Sequence, residues 1–454
     1  MRDSAESLDW IDSFVETIRP YVYVRLRDRL LIRMPNQAFK LNKSGAQVLH
    51  HILQGGSIKD ILKKRSYDTE LPFQLNSFFS DLSRMLSSSL CDEYTSTSLD
   101  RIHFELGYIT LPVLSEVALT WKCNIKCQFC YASCRCVSDS SDESELEELS
   151  TSDVKRVLDI IFRNAEIPSV SFTGGEPVLR SDLSELIAYA SSTLGLRVNL
   201  ITNGTLISEQ LAQEFKASGL ASAQVSIESP DEGVHDILVG VKGGFKSSLN
   251  GLKALKNAGI PVHPHATLCR SNKSSLLRMA QFAKELGVDR FSLNMIIPAG
   301  RGGDEMLSLK YGEVKDIILK IQSAADSNGL EFMWYSPTPI CLFNPIAHQL
   351  GNKGCSACEG LLSIDPFGRV LPCSSWKEPI GDLLQDGFKA IWFGERAKFL
   401  REKRTAHPDC RECDHFALCH GACPLYFKAY GYEEIAPALE KVKNGVPLHQ
   451  RSLS

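Results

Sequence analysis

Residues 120–131 read Thr-Trp-Lys-Cys-Asn-Ile-Lys-Cys-Gln-Phe-Cys-Tyr, which sets Cys123, Cys127 and Cys130 in a CxxxCxxC triplet with an aromatic residue directly behind the last cysteine. The irons of a 4Fe-4S cube are held by thiolates. Three cysteines therefore leave one iron open to a substrate or cofactor, and the chemistry is expected at that iron. A zinc knuckle fits the spacing poorly, because zinc sites pair two ligands with two more at a characteristic distance.

Outward from the triplet, short β-rich runs alternate with helix-period segments from about Ser115 onward. Residues 116–119, 169–173, 198–202, 224–228, 262–267 and 291–297 read as buried parallel strands. Between them apolar residues recur at helical steps: Val154, Val157, Leu158 and Ile161; Leu183, Leu186, Ile187 and Ala190; Leu276, Met279, Ala280 and Ala283. Six strands, each followed by a helix, imply a right-handed βα array. The expected fold class is α/β, with a partial (β/α)6 TIM-like barrel over residues 115–335 and its site at the C-terminal ends of the strands. The triplet falls just after the first of them.

The chain has 454 residues, 43% hydrophobic and 23% charged, enough to bury more than one core, so it reads as multidomain. A formal charge of -4 argues against non-specific nucleic-acid binding. The N-terminus has no apolar signal core, and no apolar run approaches the roughly 20 residues needed to cross a membrane. A cytoplasmic, reducing compartment is expected, where clustered cysteines more often bind metal than each other.

After the second strand stands Gly174-Gly175-Glu176-Pro177, two glycines that permit a close backbone approach. Alone this is a turn; behind a CxxxCxxC loop it resembles the GGEP segment of the radical SAM superfamily, as the triplet resembles that family's signature. The resemblance implies a partial barrel whose open iron chelates the amino and carboxylate groups of S-adenosylmethionine. It further implies that the Gly174–Pro177 backbone and acidic side chain receive the methionyl amino group, and that Tyr131 lies beside the adenine or packs under the loop. Asn203, Ser226, Glu228 and Asn294, at the ends of the third, fourth and sixth strands, are candidates to hydrogen-bond ribose or methionyl groups; for each the alternative is a strand-end cap or loop residue. The implied chemistry is reductive cleavage to a 5'-deoxyadenosyl radical that takes a hydrogen from the substrate, fed by a reducing electron donor such as flavodoxin or ferredoxin.

A second cysteine series lies near the C-terminus. Cys358, nine residues, Gly368, four residues and Cys373 are followed by Cys410, Cys413, Cys419 and Cys423 in the spacing CxxCxxxxxCxxxC. The series resembles the SPASM extension of radical SAM enzymes and implies one or two auxiliary Fe-S clusters within residues 336–430. The first would use Cys358, Cys373 and Cys423 with either Cys355 or Cys341, the second Cys410, Cys413 and Cys419. No cysteine follows Cys423, so the second cluster takes another ligand, keeps an open iron or is absent; Asp414, His415 and His420 are the nearby alternatives. Cys91, Cys134, Cys136 and Cys269 read as incidental thiols.

Residues 1–95 read as a winged-helix-like α+β module. Strands are expected at 22–26, 30–33 and 38–41, then a helix with Gly45, Val48, Leu49 and Ile52 on one face, a break at Gly55-Gly56, a second helix capped by Ser57 and a third over 72–90. Through Leu41-Asn42-Lys43-Ser44-Gly45-Ala46 it resembles the peptide-recognition element related to the pyrroloquinoline-quinone carrier chaperone, in which a leader peptide adds a strand to a sheet edge. A DNA-binding winged helix is the rival, disfavoured by recognition helices with few basic residues. Residues 96–114 and the acidic stretch 137–150 read as linker and mobile loop, and 431–454 as a tail. The expected function is maturation of a ribosomally made precursor peptide. The alternatives are maturation of a tetrapyrrole or of a partner oxidoreductase, and an Fe-S redox-sensing DNA-binding regulator. The tetrapyrrole option rests on Ile297-Pro298-Ala299-Gly300-Arg301-Gly302, which is similar to a stretch of haem-pathway relatives.

Overall fold

The computed structural model describes residues 8–34, 37–65, 67–87, 99–100, 110–136 and 147–443. Cys91, the end of the helix expected over 72–90, most of the acidic stretch and the last residues of the tail lie outside them. The chain divides into two compact units, Met1–Val113 and Leu114–Ser454.

The first unit holds an antiparallel sheet in the order β1 (Val22–Arg25), β2 (Leu30–Arg33), β3 (Gln37–Leu41), β4 (Leu99–Asp100). Helices Lys43–Leu53, Ile58–Lys64 and Leu71–Ser87 follow β3. Asn42 caps the first of these by accepting the Gly45 N–H, and Ser57 with Asp60 forms a capping box on the second. Two elements differ from the sequence reading. Helix Asp9–Ile18 precedes β1 and buries Ile11 and Val15 in the same core as Leu31, Leu49 and Phe79. The segment read as a linker from residue 96 contributes β4, paired to Lys40 and Leu41. The fully buried Arg25 explains why the chain returns here: its guanidinium grips Asp28 at 2.9 and 2.8 Å and the carbonyls of Leu111 and Pro112 at 2.9 and 2.7 Å, partners without which a buried cation is prohibitively costly.

The second unit is built on a ten-stranded sheet. Its strands are β5 (Leu114–Thr120), β8 (Ser169–Gly174), β9 (Arg197–Thr202), β10 (Leu220–Ser226), β11 (Val262–Leu268), β12 (Arg290–Met295), β13 (Glu331–Trp334), β14 (Leu361–Ile364), β15 (Arg369–Leu371) and β16 (Gly381–Asp382). A short separate pair, β6 (Lys122–Cys123) and β7 (Arg135–Cys136), lies beside it. The order is β13-β12-β11-β10-β9-β8-β5-β14-β15-β16, parallel from β13 through β14. All six expected strands are present, and the helices between them bury the expected stripes: Val154, Val157, Leu158 and Ile161 on Thr151–Arg163, for example. The fourth strand stops at Ser226, leaving Glu228 in the loop beyond it. Two parallel strands were not foreseen. β13 extends the barrel, and β14 pairs with the free side of β5, Leu361 opposite Leu114, which makes the start of the cysteine-rich region continuous with the barrel sheet.

Candidate active site

The chain leaves β5 at Thr120 and enters the cysteine loop, whose ends are joined by the parallel pairing of β6 with β7, Cys123 opposite Cys136. Gly174 and Gly175 make room for that entry. A Cβ on Gly174, which sits at φ +127°, would lie 2.4 Å from the Thr120 carbonyl, and one on Gly175 would lie 2.1 Å from that of Lys122. In their absence Gly175 N–H donates to Thr120 O at 2.7 Å and Glu176 N–H to Lys122 O at 2.9 Å.

Cys123, Cys127 and Cys130 line one cavity at the C-terminal ends of the strands, together with Tyr131, Gly174, Gly175, Asn203, Ser226, Glu228 and Asn294. Residues scattered over 170 positions by sequence reading are thus brought to one place, roughly one per strand. Asn203 touches the loop itself, its Nδ2 donating to Asn124 Oδ1 at 2.9 Å and lying 4.0 Å from Cys123 Sγ. Asn294 stands on the cavity wall with its side chain beside the His265 ring. Tyr131 is buried against the barrel and bonded to the Thr173 hydroxyl, and burial raises its phenol well above the ordinary value.

Glu176 departs from the expected role. It is fully buried, and its oxygens accept from Thr202 Oγ1 at 2.7 Å, Asn203 N at 2.8 Å and Val178 N at 3.1 Å. Its carboxyl therefore ties the end of β8 to the end of β9, with Pro177 opening the short helix Pro177–Leu179 behind it. Burial pushes it up to about 7, opposed by those donors. Glu228 accepts the Thr267 N–H at 2.7 Å, and burial pushes it up to about 8.

Two groups singled out for other reasons, or only as part of a strand, were not placed at this site from sequence. Gly300-Arg301 crosses the cysteine loop: Arg301 Nε donates to Cys127 O at 2.8 Å, Nη1 to Cys134 O at 3.2 Å and the backbone N–H to Cys130 O at 2.9 Å. A Cβ on Gly300 would lie 2.3 Å from the Tyr131 carbonyl. The other is Glu116 on β5, facing the cavity near Gln224 and His265, bonded to Ser374 and pushed by burial up to about 7. A charged residue inside an otherwise apolar strand was the available signal.

Burial pushes the Cys123 thiol up to about 11 and raises Cys127, whereas a hydrogen bond from the Cys134 thiol lowers Cys130. Among the described residues no three Cys, His, Asp or Glu side chains close round a single metal ion. Three thiols opening on one cavity suit a multi-iron cluster instead, because each thiolate there holds a different iron. Cys269 is buried among Leu238 and Ile296. In the C-terminal region, Cys341 neighbours Cys410, Cys413 and Cys419, while Cys355 neighbours Cys358, Cys373 and Cys423. His420 is turned to Ala417 O, at 2.9 Å, and to Glu359.

Residues 117–283 match the radical SAM superfamily and residues 355–414 match the SPASM iron-sulfur cluster-binding domain. The chain is therefore an enzyme that carries a radical SAM domain, which binds S-adenosylmethionine on a 4Fe-4S cluster, and a SPASM domain, which binds auxiliary Fe-S clusters. Among curated proteins it is similar to the AdoMet-dependent heme synthase of Nitratidesulfovibrio vulgaris, 28% identical over 67% of this chain and 85% of that protein. It is also similar to the mycofactocin maturase MftC of Mycolicibacterium smegmatis, 29% identical over 70% of this chain and 80% of that one. In fold it resembles Streptococcus suis SuiB bound to its precursor peptide SuiA, with a TM-score of 0.65 over 90% of this chain and 95% of that one at 18% identity. Among the described residues no helix is long and apolar enough to cross a membrane.

Proposed function

We propose that this enzyme modifies a ribosomally made precursor peptide. The observation that carries the reading is the first unit's small antiparallel sheet, β1 to β4, followed by helices. Addition of an extended leader peptide as a further strand to such a sheet is a recurring mode of peptide recognition. The likeness to SuiB, which spans 90% of the chain and so reaches into this unit, supports it, as do relatives named as a mycofactocin maturase and a sporulation killing factor maturation protein.

The cavity favours a peptide over the tetrapyrrole of the heme-synthase relatives. Its carboxyl groups are Glu116 and Glu228, and its guanidinium, Arg301, is already engaged by the carbonyls of Cys127 and Cys134. Among the described residues of the cavity wall, propionate side chains would therefore find no disengaged guanidinium as a counter-charge.

In this reading Cys123, Cys127 and Cys130 hold the cluster to which S-adenosylmethionine binds, and together these supply hydrogen-atom abstraction from carbon. The chain's own residues position and enclose. Gly174 and Gly175 bring backbone up to the loop, Asn294 stands on the cavity wall facing the bound molecule, and Arg301 holds the loop closed. A reducing electron donor such as flavodoxin or ferredoxin is the proposed redox partner.

The test is anaerobic incubation of the reconstituted full chain with S-adenosylmethionine, dithionite and either the peptide fraction of the source cells or an iron porphyrin bearing propionates. The expected result is a peptide whose mass changes only when S-adenosylmethionine is present. Turnover of the porphyrin with every peptide unchanged would overturn the reading.

A further inference from the structure

Eight cysteines follow residue 336: Cys341, Cys355, Cys358, Cys373, Cys410, Cys413, Cys419 and Cys423. By spacing alone, the second auxiliary site is one thiolate short. Chain packing around Cys419 makes up the difference. The Cys419 thiol accepts the backbone N–H of Ile340, which lays Cys341 against the turns that carry the CxxCxxxxxC run. Those turns are wound by Cys413 N–H to Cys410 O at 3.1 Å and Cys419 N–H to His415 O at 2.8 Å.

The loop bearing Cys341 is clasped at both ends. Thr338 N–H donates to Lys353 O at 2.9 Å. Gly354 presses so closely on the same turn that a Cβ there would lie 3.0 Å from Leu418 O and 2.7 Å from His420 Nδ1. Cys341 is half-buried, and the thiols close enough to act on it are Cys419, Cys410 and Cys413.

The other four cysteines have one another as thiol neighbours, although the Cys355 backbone also meets His420. Cys358 N–H donates to Pro372 O at 3.3 Å, bringing it against Cys373. The thiols close enough to act on Cys373 are Cys355 and Cys423. Lys403 Nζ donates to Cys355 O at 2.6 Å and Arg401 Nη1 to Cys358 O at 2.9 Å, two cations fixing this group and not the first.

We propose that Cys341, Cys410, Cys413 and Cys419 hold one auxiliary 4Fe-4S cluster and Cys355, Cys358, Cys373 and Cys423 hold the other. The fourth ligand of the second site is then supplied from upstream, out of chain order. Both auxiliary clusters are fully thiolate-bound, so neither offers an iron to the substrate, and both are confined to carrying electrons. His420 is not a ligand in this arrangement. The assignment stands on the SPASM domain and is independent of the substrate being a peptide.

The test uses the full chain with Cys123, Cys127 and Cys130 replaced by alanine to remove the barrel cluster, reconstituted anaerobically and read by iron and sulfide analysis and Mössbauer spectroscopy. About eight irons per chain are expected, about four for each cluster. Cys341→Ala should reduce this to about half. Adding Cys419→Ala should cost nothing further, whereas adding Cys373→Ala should remove the remainder, because effects within one site do not add while those of separate sites do. Retention of all iron in Cys341→Ala, or additivity in the opposite pairing, would overturn the assignment.

A second measurement needs no variant. The holoprotein is stripped of iron in steps with a chelator, and its thiols are alkylated with iodoacetamide and mapped by mass spectrometry. Cys341 should become reactive in step with Cys410, Cys413 and Cys419. Reactivity before any iron is lost, or in step with Cys355 and Cys373, would overturn the proposal.

Discussion

Arg301 Nε donates to the carbonyl oxygen of Cys127 across 2.8 Å, joining the loop after β12 to the middle of the cysteine triplet. With the bonds to Cys134 O and from the Arg301 N–H to Cys130 O, it fixes the curvature that turns three thiols toward one cavity. A charge-assisted hydrogen bond contributes about 1.5–3 kcal/mol. Arg301→Gln should therefore loosen the loop by at least about tenfold in apparent cluster affinity. Competition for iron between the reconstituted chain and a chelator measures this. Arg301→Lys should recover only part of the loss, since an ammonium cannot reproduce the planar fork.

Removal of a barrel thiol and of an auxiliary thiol should separate two steps. Cys127→Ala is expected to abolish reductive cleavage of S-adenosylmethionine, while Cys413→Ala spares cleavage and impairs product formation. Chromatographic assay of 5'-deoxyadenosine against modified product checks both. Full cleavage by reconstituted Cys127→Ala would remove the triplet from the mechanism.

Glu116 makes the fold sensitive to pH in a definite direction. Burial holds its carboxyl neutral up to about pH 7, whereas the unfolded chain ionises near the ordinary value of about 4.3. Below the unfolded value the two states bind the same proton and the stability is fully present. As pH rises toward the folded value only the unfolded state gains by ionising, so stability falls. The loss is on the order of 3 kcal/mol across that window. Urea midpoints measured from pH 5 to 7.5 should fall less steeply in Glu116→Gln than in the parent. Equal slopes would mean that Glu116 is already ionised in the folded chain.

What was legible in the sequence is local and periodic. The stripe Val154, Val157, Leu158, Ile161 repeats at helical steps and all four are buried, and the cysteine spacings carry their chemistry on their face. What was missed is non-local. β4 has two residues and exists only by pairing with Lys40 and Leu41. β14 is a four-residue run whose place is set by β5, far back in the chain. Arg301 was read only within the haem-pathway-like stretch 297–302, because the carbonyls it grips belong to residues 127 and 134, far back in the chain. Cys341 is the same kind of case: its partners are chosen by a loop clasp that spacing does not encode.

Two glycines of similar sequence context should respond differently to the same substitution. At Gly175 an added methyl would meet the Lys122 carbonyl at 2.1 Å, backbone against backbone, with Trp121 carbon at 3.1 Å behind it. Neither neighbour is free to move, because Lys122 is paired to β7 and its carbonyl accepts the Glu176 N–H. At Gly303 nothing lies within 4 Å of the same methyl. Gly175→Ala is therefore expected to force the end of β8 away from the cysteine loop, at about 1–3 kcal/mol or more, with most of the barrel cluster lost on reconstitution. Gly303→Ala should be within about 0.5 kcal/mol of the parent. Thermal unfolding of the apo chains and iron content after reconstitution measure the two effects separately. A Gly175→Ala chain that loads iron normally would show that the close contact between β8 and the loop entry is not what holds the triplet in place.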